Sequence, residues 1–287
     1  MSYYRPLTLE DALDLRAESE LTVLAGGTDF YPSRVARPMN EPVLDISALT
    51  DLRGISRIEV AGGAAWRIGA LTTWSDLVRQ RQAQAPALAA LVSAAREMGG
   101  IQVQNQATVG GNLCNASPAA DGVPALAALD AQVELRSARG TRSLALVEFV
   151  QGNRRTQLAN DEILTAVTLP AFSSNARSQF RKLGHRKYLV ISIAMVAVCV
   201  DFDRHGALSR CGIAVGSCAP SVRRLGDLEA ALMGLPRSQV LGQVQAWLDR
   251  LDCLQALSPI DDVRGSAEYR LAAVRQLVSR LFAELMD

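Results

Sequence analysis

The chain has 287 residues, enough for two or three domains with buried cores of their own. Apolar residues make up 49% and charged residues 21%, which excludes a disordered, collagen-like or coiled-coil chain. Lys and Arg number 30 against 29 Asp and Glu, so the net charge of +1 creates no global field toward nucleic acid or anionic membrane.

The first twenty residues lack the apolar run and small-residue cleavage site of a secretory signal. Thr8 is placed to N-cap a helix, with Asp11 three positions on and Leu9, Ala12, Leu13 and Ala17 on one face. Residues 21–25 read as a strand that runs into Gly26-Gly27-Thr28-Asp29. A second strand, 43–46, follows a turn-rich stretch holding Pro32, Pro38 and Pro42. A further unit starts near Ile55, with a strand ending at 67–70 and Thr72 or Thr73 as cap for a helix over 74–79. Pro86 stands at the first turn of a helix reaching Met98, with Leu88, Leu91, Val92, Ala95 and Met98 on one side. Residues 99–118 read as a long polar loop marked by glycines. A short helix over 124–129, a strand over 132–136 and a β-rich run over 163–169 follow, stopped by Pro170.

Residues 171–178 (AFSSNARS) are small and polar and read as a linker. Two strands, 192–203 and 208–217, come next, joined as a hairpin by Asp203-Arg204-His205-Gly206. Three helices finish the chain, near 227–233, 238–251 and 266–286. In the last, Leu271, Val274, Val278, Leu281 and Leu285 form an apolar stripe. The longest apolar stretch, 191–200, is too short to span a bilayer. Cys114, Cys199, Cys211, Cys218 and Cys253 form no C-x-x-C pair, which fits reduced thiols better than a disulfide framework. The two histidines, His185 and His205, sit in no recognisable frame, so hydrolase and zinc-enzyme chemistry lose most of their support. No metal ligands and no catalytic acid or base are expected, and the chain is expected in the cytoplasm, with periplasmic export on a partner's signal as the other route.

The glycines carry the functional signal. Gly-Gly occurs at 26–27, 62–63, 99–100 and 110–111. After a strand, Gly26-Gly27-Thr28-Asp29 can form a concave nest of N–H groups with an added hydroxyl, which suits a diphosphate. The same residues also suit a tight turn. Thr108-Val109-Gly110-Gly111-Asn112 is a second such loop among Gln and Asn side chains, and the helix after Asp121 offers another anion-suited terminus. Neither loop is a Rossmann fingerprint or a P-loop. From the residues, the two loops predict a cofactor containing a diphosphate, gripped from two directions.

LAGGTDF (24–30) and ATVGGNLCNASPAAD (107–121) together resemble the FAD-binding medium subunits of molybdenum hydroxylases. That family holds the flavin subunits or domains of xanthine dehydrogenase, aldehyde oxidoreductase and aerobic carbon monoxide dehydrogenase. RIGALTT (67–73), DEILTAVTLP (161–170), the pair Lys182 and Arg186, and SAEYR (266–270) extend the likeness over nearly the whole chain. The resemblance implies an α+β FAD-binding fold of the vanillyl-alcohol-oxidase type, with a C-terminal three-stranded antiparallel sheet and helical bundle. It implies FAD-binding subdomains at 1–54 and 55–172 and a C-terminal domain at 177–287.

Carried over by position, Leu24, Ala25, Gly26, Gly27, Thr28, Asp29 and Phe30 would grip FAD from one side. Thr108, Val109, Gly110, Gly111 and Asn112 would grip it from the other. Asp121 matches a further FAD contact, or simply caps its helix. Leu164 would pack near the isoalloxazine, Lys182 would touch the flavin unless it is solvated, and Met98 stands where relatives carry an aromatic contact. The resemblance implies electron transfer from iron–sulfur clusters through FAD to an external acceptor. The 2Fe–2S clusters are expected on an iron–sulfur small subunit and the molybdenum cofactor on a large subunit, because this chain carries neither motif. A stand-alone FAD reductase of the same fold and a flavin-free scaffold subunit are the rival readings.

Overall fold

A computed structural model describes residues 2–35, 40–60, 63–80, 84–187 and 189–287. Pro38 and Gly62, used in the sequence reading, lie outside the described residues. β1 (Tyr3–Tyr4), β2 (Thr22–Leu24) and β3 (Val43–Asp45) form a parallel sheet in the order β1-β3-β2. α1 (Leu9–Glu18) starts at Thr8, whose hydroxyl accepts from the Asp11 N–H. The two residues of β1 are too few to show a period, so the sequence does not reveal that strand. Ala12, Leu13, Leu21, Leu44 and Ile46 make a small core that also takes in Leu71 and Ile163 from the next unit. Arg16 ties the same two units. Its buried guanidinium donates to the carbonyls of Leu21 (2.6 Å) and Glu162 (3.2 Å).

The next unit is an antiparallel five-stranded sheet. Its strands β4 (Ile55–Val60), β5 (Gly63–Gly69), β6 (Gln132–Ser137), β7 (Gly140–Ala145) and, after the hairpin β8 (Val150–Gly152) and β9 (Arg155–Thr156), β10 (Ile163–Leu169) run in the order β4-β5-β10-β6-β7. α2 (Trp74–Arg79) opens on a full capping box between Thr73 and Asp76. Pro86 begins a 3₁₀ turn (Pro86–Leu88) and not the helix itself, which is α3 (Ala89–Glu97). The expected loop over 99–118 is largely helical, holding α4 (Ile101–Gln106) and α5 (Val109–Asn115). Helices of one or two turns gain their stability from packing, and their Gln, Asn and Gly composition hides them from a propensity reading.

α6 (Gly122–Ala128) is buried on every side, and α7 (Leu146–Phe149) is a single turn. β11 (Arg177–Leu183), β12 (Ala194–Phe202), β13 (Leu208–Gly216) and the two-residue β14 (Arg223–Arg224) form an antiparallel sheet in chain order. The three long strands are those the resemblance implies, and β14 adds a short edge. β11 begins inside the residues read as a linker, and the residue pattern alone did not mark it as a strand. RSQFRKL buries Ser178 and Phe180 and exposes Arg177 and Arg181, a pattern usual for a protected edge strand. Ser178 also serves α3 from a distance. Its hydroxyl accepts from the Ala90 N–H (2.9 Å) and donates to the Ala87 carbonyl (2.7 Å).

α8 (Gly226–Leu232), α9 (Arg237–Leu248) and α10 (Ala267–Met286) cover one face of this sheet. There Val196, Val198 and Val200 meet Val240, Val244, Val274, Val278 and Leu281. The opposite face, with Met195, Ala197, Cys199 and Ala214, joins the core around α3 and α6. A Cβ at Gly212 would lie 2.0 Å from the Ala128 carbonyl oxygen, so α6 rests on β13 with no side chain between them. This close fit explains why α6 is built from Gly, Ala, Val, Pro and Leu.

Glu162 closes the turn before β10. Its 6%-exposed carboxylate accepts two bonds from Arg142 (2.6 and 2.9 Å) and one from the Ala159 N–H (2.9 Å). The Arg142 bonds hold its pKa below the usual carboxylate range despite burial. A depressed folded-state pKa stabilises the fold above the unfolded value and loses that contribution as pH falls through the folded one. Glu162→Gln is expected to lower unfolding free energy by about 1–2 kcal/mol at neutral pH. Urea denaturation at pH 7 and pH 3 should show the gap from wild type closing at the lower pH.

Candidate functional site

The two glycine motifs meet at a cleft of about 370 Å³. Ala25, Gly26, Gly27, Thr28, Asp29 and Phe30 line one wall, and Thr108, Gly110, Gly111 and Asn112 line the other. Met98 and Leu164 also line it. A register shift in β10 between Leu164 and Ala166 falls beside Leu164, and such bulges re-aim side chains. Leu24 and Val109 are buried behind the walls, 5% and 0% exposed, and do not line the cleft.

Backbone packing, rather than backbone strain, requires most of these glycines. A Cβ at Gly26 would lie 2.0 Å from the Gln106 carbonyl oxygen, and one at Gly110 would lie 2.8 Å from the Ala70 Cβ. Only Gly27, at φ +75°, is held in the left-handed region. Gly111 differs from its neighbours. A Cβ there meets only the Thr108 hydroxyl, at 2.9 Å, and otherwise open cleft.

The two motifs offer different chemistry. The N–H groups of Gly26, Gly27, Thr28, Asp29 and Phe30 donate to no acceptor among the described residues. They form an open nest suited to an anion. The second motif is the first turn of α5, and its donors are already engaged. Val109 N–H bonds the Thr72 carbonyl, Gly110 N–H the Ala70 carbonyl, and Gly111 N–H the Thr108 hydroxyl. The expected grip from two directions is therefore a row of open donors facing a wall that is bare of side chains at Gly110 and Gly111. That wall carries one further polar feature. Asn112 Oδ1 is buried, lacks a hydrogen-bond partner among the described residues, and belongs to a side chain lining the cleft. That oxygen is turned toward Gly122 of α6, where a Cβ would come within 3.0 Å of it.

Asp121 and Lys182 stand together outside this lining. Lys182 Nζ donates to Asp121 Oδ2 and to the Glu97 carbonyl, both at 2.9 Å, and the Ser192 hydroxyl donates to Asp121 Oδ1 at 2.7 Å. The Lys182 side chain is 4% exposed, so it is not solvated. Asp121 makes no capping bond to α6. Burial pushes its carboxyl up, against the pull of Lys182 and Ser192. The lysine reaches the carbonyl next to Met98, so the pair adjoins the cleft through the α3 end.

Cys114 also lines the cleft, with its thiol pushed up to about 12 by burial, which keeps it protonated. The sequence reading missed two cations in the lining, Arg34 and Arg154. Arg34 is held by Glu41 (2.7 Å) and lies over the Phe30 ring. Arg154 sits in the β8–β9 turn, where only the Gly-Asn dipeptide before it hinted at structure. Among the described residues, no group of three or more His, Cys, Asp or Glu is placed to hold a metal ion. No helix among them is long and apolar enough to cross a membrane.

A family model described as the FAD binding domain in molybdopterin dehydrogenase matches residues 1–172. A second, described as the CO dehydrogenase flavoprotein C-terminal domain, matches residues 179–285. The chain belongs to this family. Xanthine dehydrogenase FAD-binding subunit of Escherichia coli O157:H7 is 32% identical, over 99% of this chain and 95% of that protein. Nicotinate dehydrogenase FAD-subunit of Eubacterium barkeri is 31% identical, over 99% and 96%. Among solved structures, carbon monoxide dehydrogenase from Hydrogenophaga pseudoflava superposes with a TM-score of 0.84 at 29% identity, over 99% of this chain and 96% of that one. This molybdenum hydroxylase medium subunit is thus an FAD-binding subunit of the oxidoreductase type, and its open row of N–H groups and the bare Gly110-Gly111 wall fit that cofactor.

Two variants probe the cleft. Asn112→Ala is expected to leave flavin-free stability unchanged and to weaken FAD about ten-fold, read by flavin fluorescence and thermal unfolding. Gly111→Val would fill the open side of the wall, and gel filtration should show a folded chain that no longer retains FAD.

Proposed function

We propose that this chain is the flavin-carrying electron-transfer subunit of a multi-subunit molybdenum hydroxylase. In this reading a large subunit holds the molybdenum cofactor, where substrate is oxidised. A small subunit holds the 2Fe–2S clusters that relay electrons, and this chain delivers them to an external acceptor. The observation that carries the reading is the open row of N–H groups at 26–30 facing the side-chain-free wall at 110–111. Bound FAD supplies the redox chemistry and the protein supplies position and electrostatics.

The chain's own residues bind and orient. The N–H groups of Gly26 to Phe30 would hold the diphosphate, with Thr28 adding its hydroxyl. Asn112 would line the cofactor's side of the second wall. Met98 and Leu164 would give the ring system an apolar surface and keep water away from it. Lys182, paired with Asp121 and bonded to the Glu97 carbonyl, would hold the end of α3 and so position Met98 beside the ring. We read residues 1–54, 55–172 and 177–287 as three working parts that share cores at their seams, with the first two enclosing the cofactor. The relatives described as FAD-binding subunits support membership of a larger assembly.

The purified chain is expected to show a flavin spectrum and to release FAD on denaturation, at about one per chain. A folded but colourless chain that fails to take up added FAD would favour the scaffold reading.

A further inference from the structure

We propose that Arg154 is a diphosphate-contacting residue, a cation held over the cleft between the two glycine motifs. The proposal rests on the FAD reading above and extends it to a side chain outside both motifs.

Arg154 occupies the second central position of the turn between β8 and β9, at φ +57°. Glycine or asparagine is usual there, because a side chain with a Cβ is strained at positive φ. The surrounding structure nevertheless fixes the arginine. Its N–H donates to the carbonyl of Ala116 (3.0 Å), the left-handed residue that ends α5. An arginine kept where glycine is easier points to work done by its side chain.

That side chain lines the cleft and reaches both motifs. One terminal nitrogen donates to Asn115 Oδ1, three residues beyond Asn112 in α5. The other lies 3.9 Å from Asp29 Oδ1, in the first motif. Asn115 is neutral and the Asp29 contact is long and exposed, so neither holds the guanidinium as a close ion pair. Arg34, the other arginine in the lining, is committed to Glu41 at 2.7 Å. Glu162 is likewise neutralised by Arg142. Arg154 is therefore the lining cation left for an anion among the described residues. Its forked donors suit phosphate oxygens, which the N–H groups at 26–30 would hold from the opposite side.

The test uses the full-length chain stripped of flavin and titrated with FAD at low and moderate salt. Arg154→Gly removes the guanidinium and relieves the strained backbone. It should weaken FAD about ten-fold or more, flatten the salt dependence, and leave the flavin-free melting temperature equal or higher. Arg154→Lys should recover part of the affinity, and Asn115→Ala should cost little. Wild-type affinity in Arg154→Gly would overturn the proposal and leave the FAD reading standing. A loss in Asn115→Ala as large as that in Arg154→Gly would overturn it too, because the arginine would then act only by holding Asn115. Failure of the wild-type chain to bind FAD would overturn both.

Discussion

The α-carbon of Gly26 lies against the carbonyl of Gln106 with no room for a methyl group, since a Cβ would come within 2.0 Å of that oxygen. Gly110 lies against Ala70 in the same way. The first contact joins the segment after β2 to the end of α4, and the second joins the start of α5 to the 70–73 turn. One methyl at either glycine would force its segment off the neighbour it rests on. Protein interiors do not absorb such a shift cheaply.

That constraint decides how the two motifs share the chemistry. α5 must start at Thr108 to place Gly110 on Ala70, and doing so engages the N–H groups of Val109, Gly110 and Gly111. The wall is rigid for that reason and has little left to donate. The 26–30 segment leaves β2 with no partner strand for its amides, so its donors stay open. The C-terminal part contributes from behind. Its sheet packs Met195, Ala197 and Ala214 into the same core as α3 and α6, and β11 brings Lys182 to the end of α3 beside Met98.

Much of this was legible in the sequence. Thr8 and Thr73 cap helices as their side chains dictate, and the long apolar strands at 194–202 and 208–216 stand close to their expected bounds. The glycine motifs pointed to the cleft, and the family likeness holds across the chain. What the sequence hid has physical causes. α4 and α5 are too short for a periodic signal and rich in residues that favour loops. β11 exposes Arg177 and Arg181 like a linker and buries its one lysine against Asp121, a partner far off in sequence. The role of Gly110 as a packing contact, and not a flexible hinge, depends on Ala70, forty positions earlier. Asp121 looks like a cap and is instead the partner of Lys182 and Ser192. Arg154 could not be found by motif, because its position between the walls is set by a turn bonded to Ala116.

The division of labour between the two walls is the central claim, and amide hydrogen exchange with and without FAD tests it most directly. The account predicts that the amides of Gly26 to Phe30 exchange readily in the flavin-free chain and become protected on binding. Those of Val109 to Gly111, already bonded within the protein, should be protected in both states. Protection gained at 109–111 with none at 26–30 would contradict it.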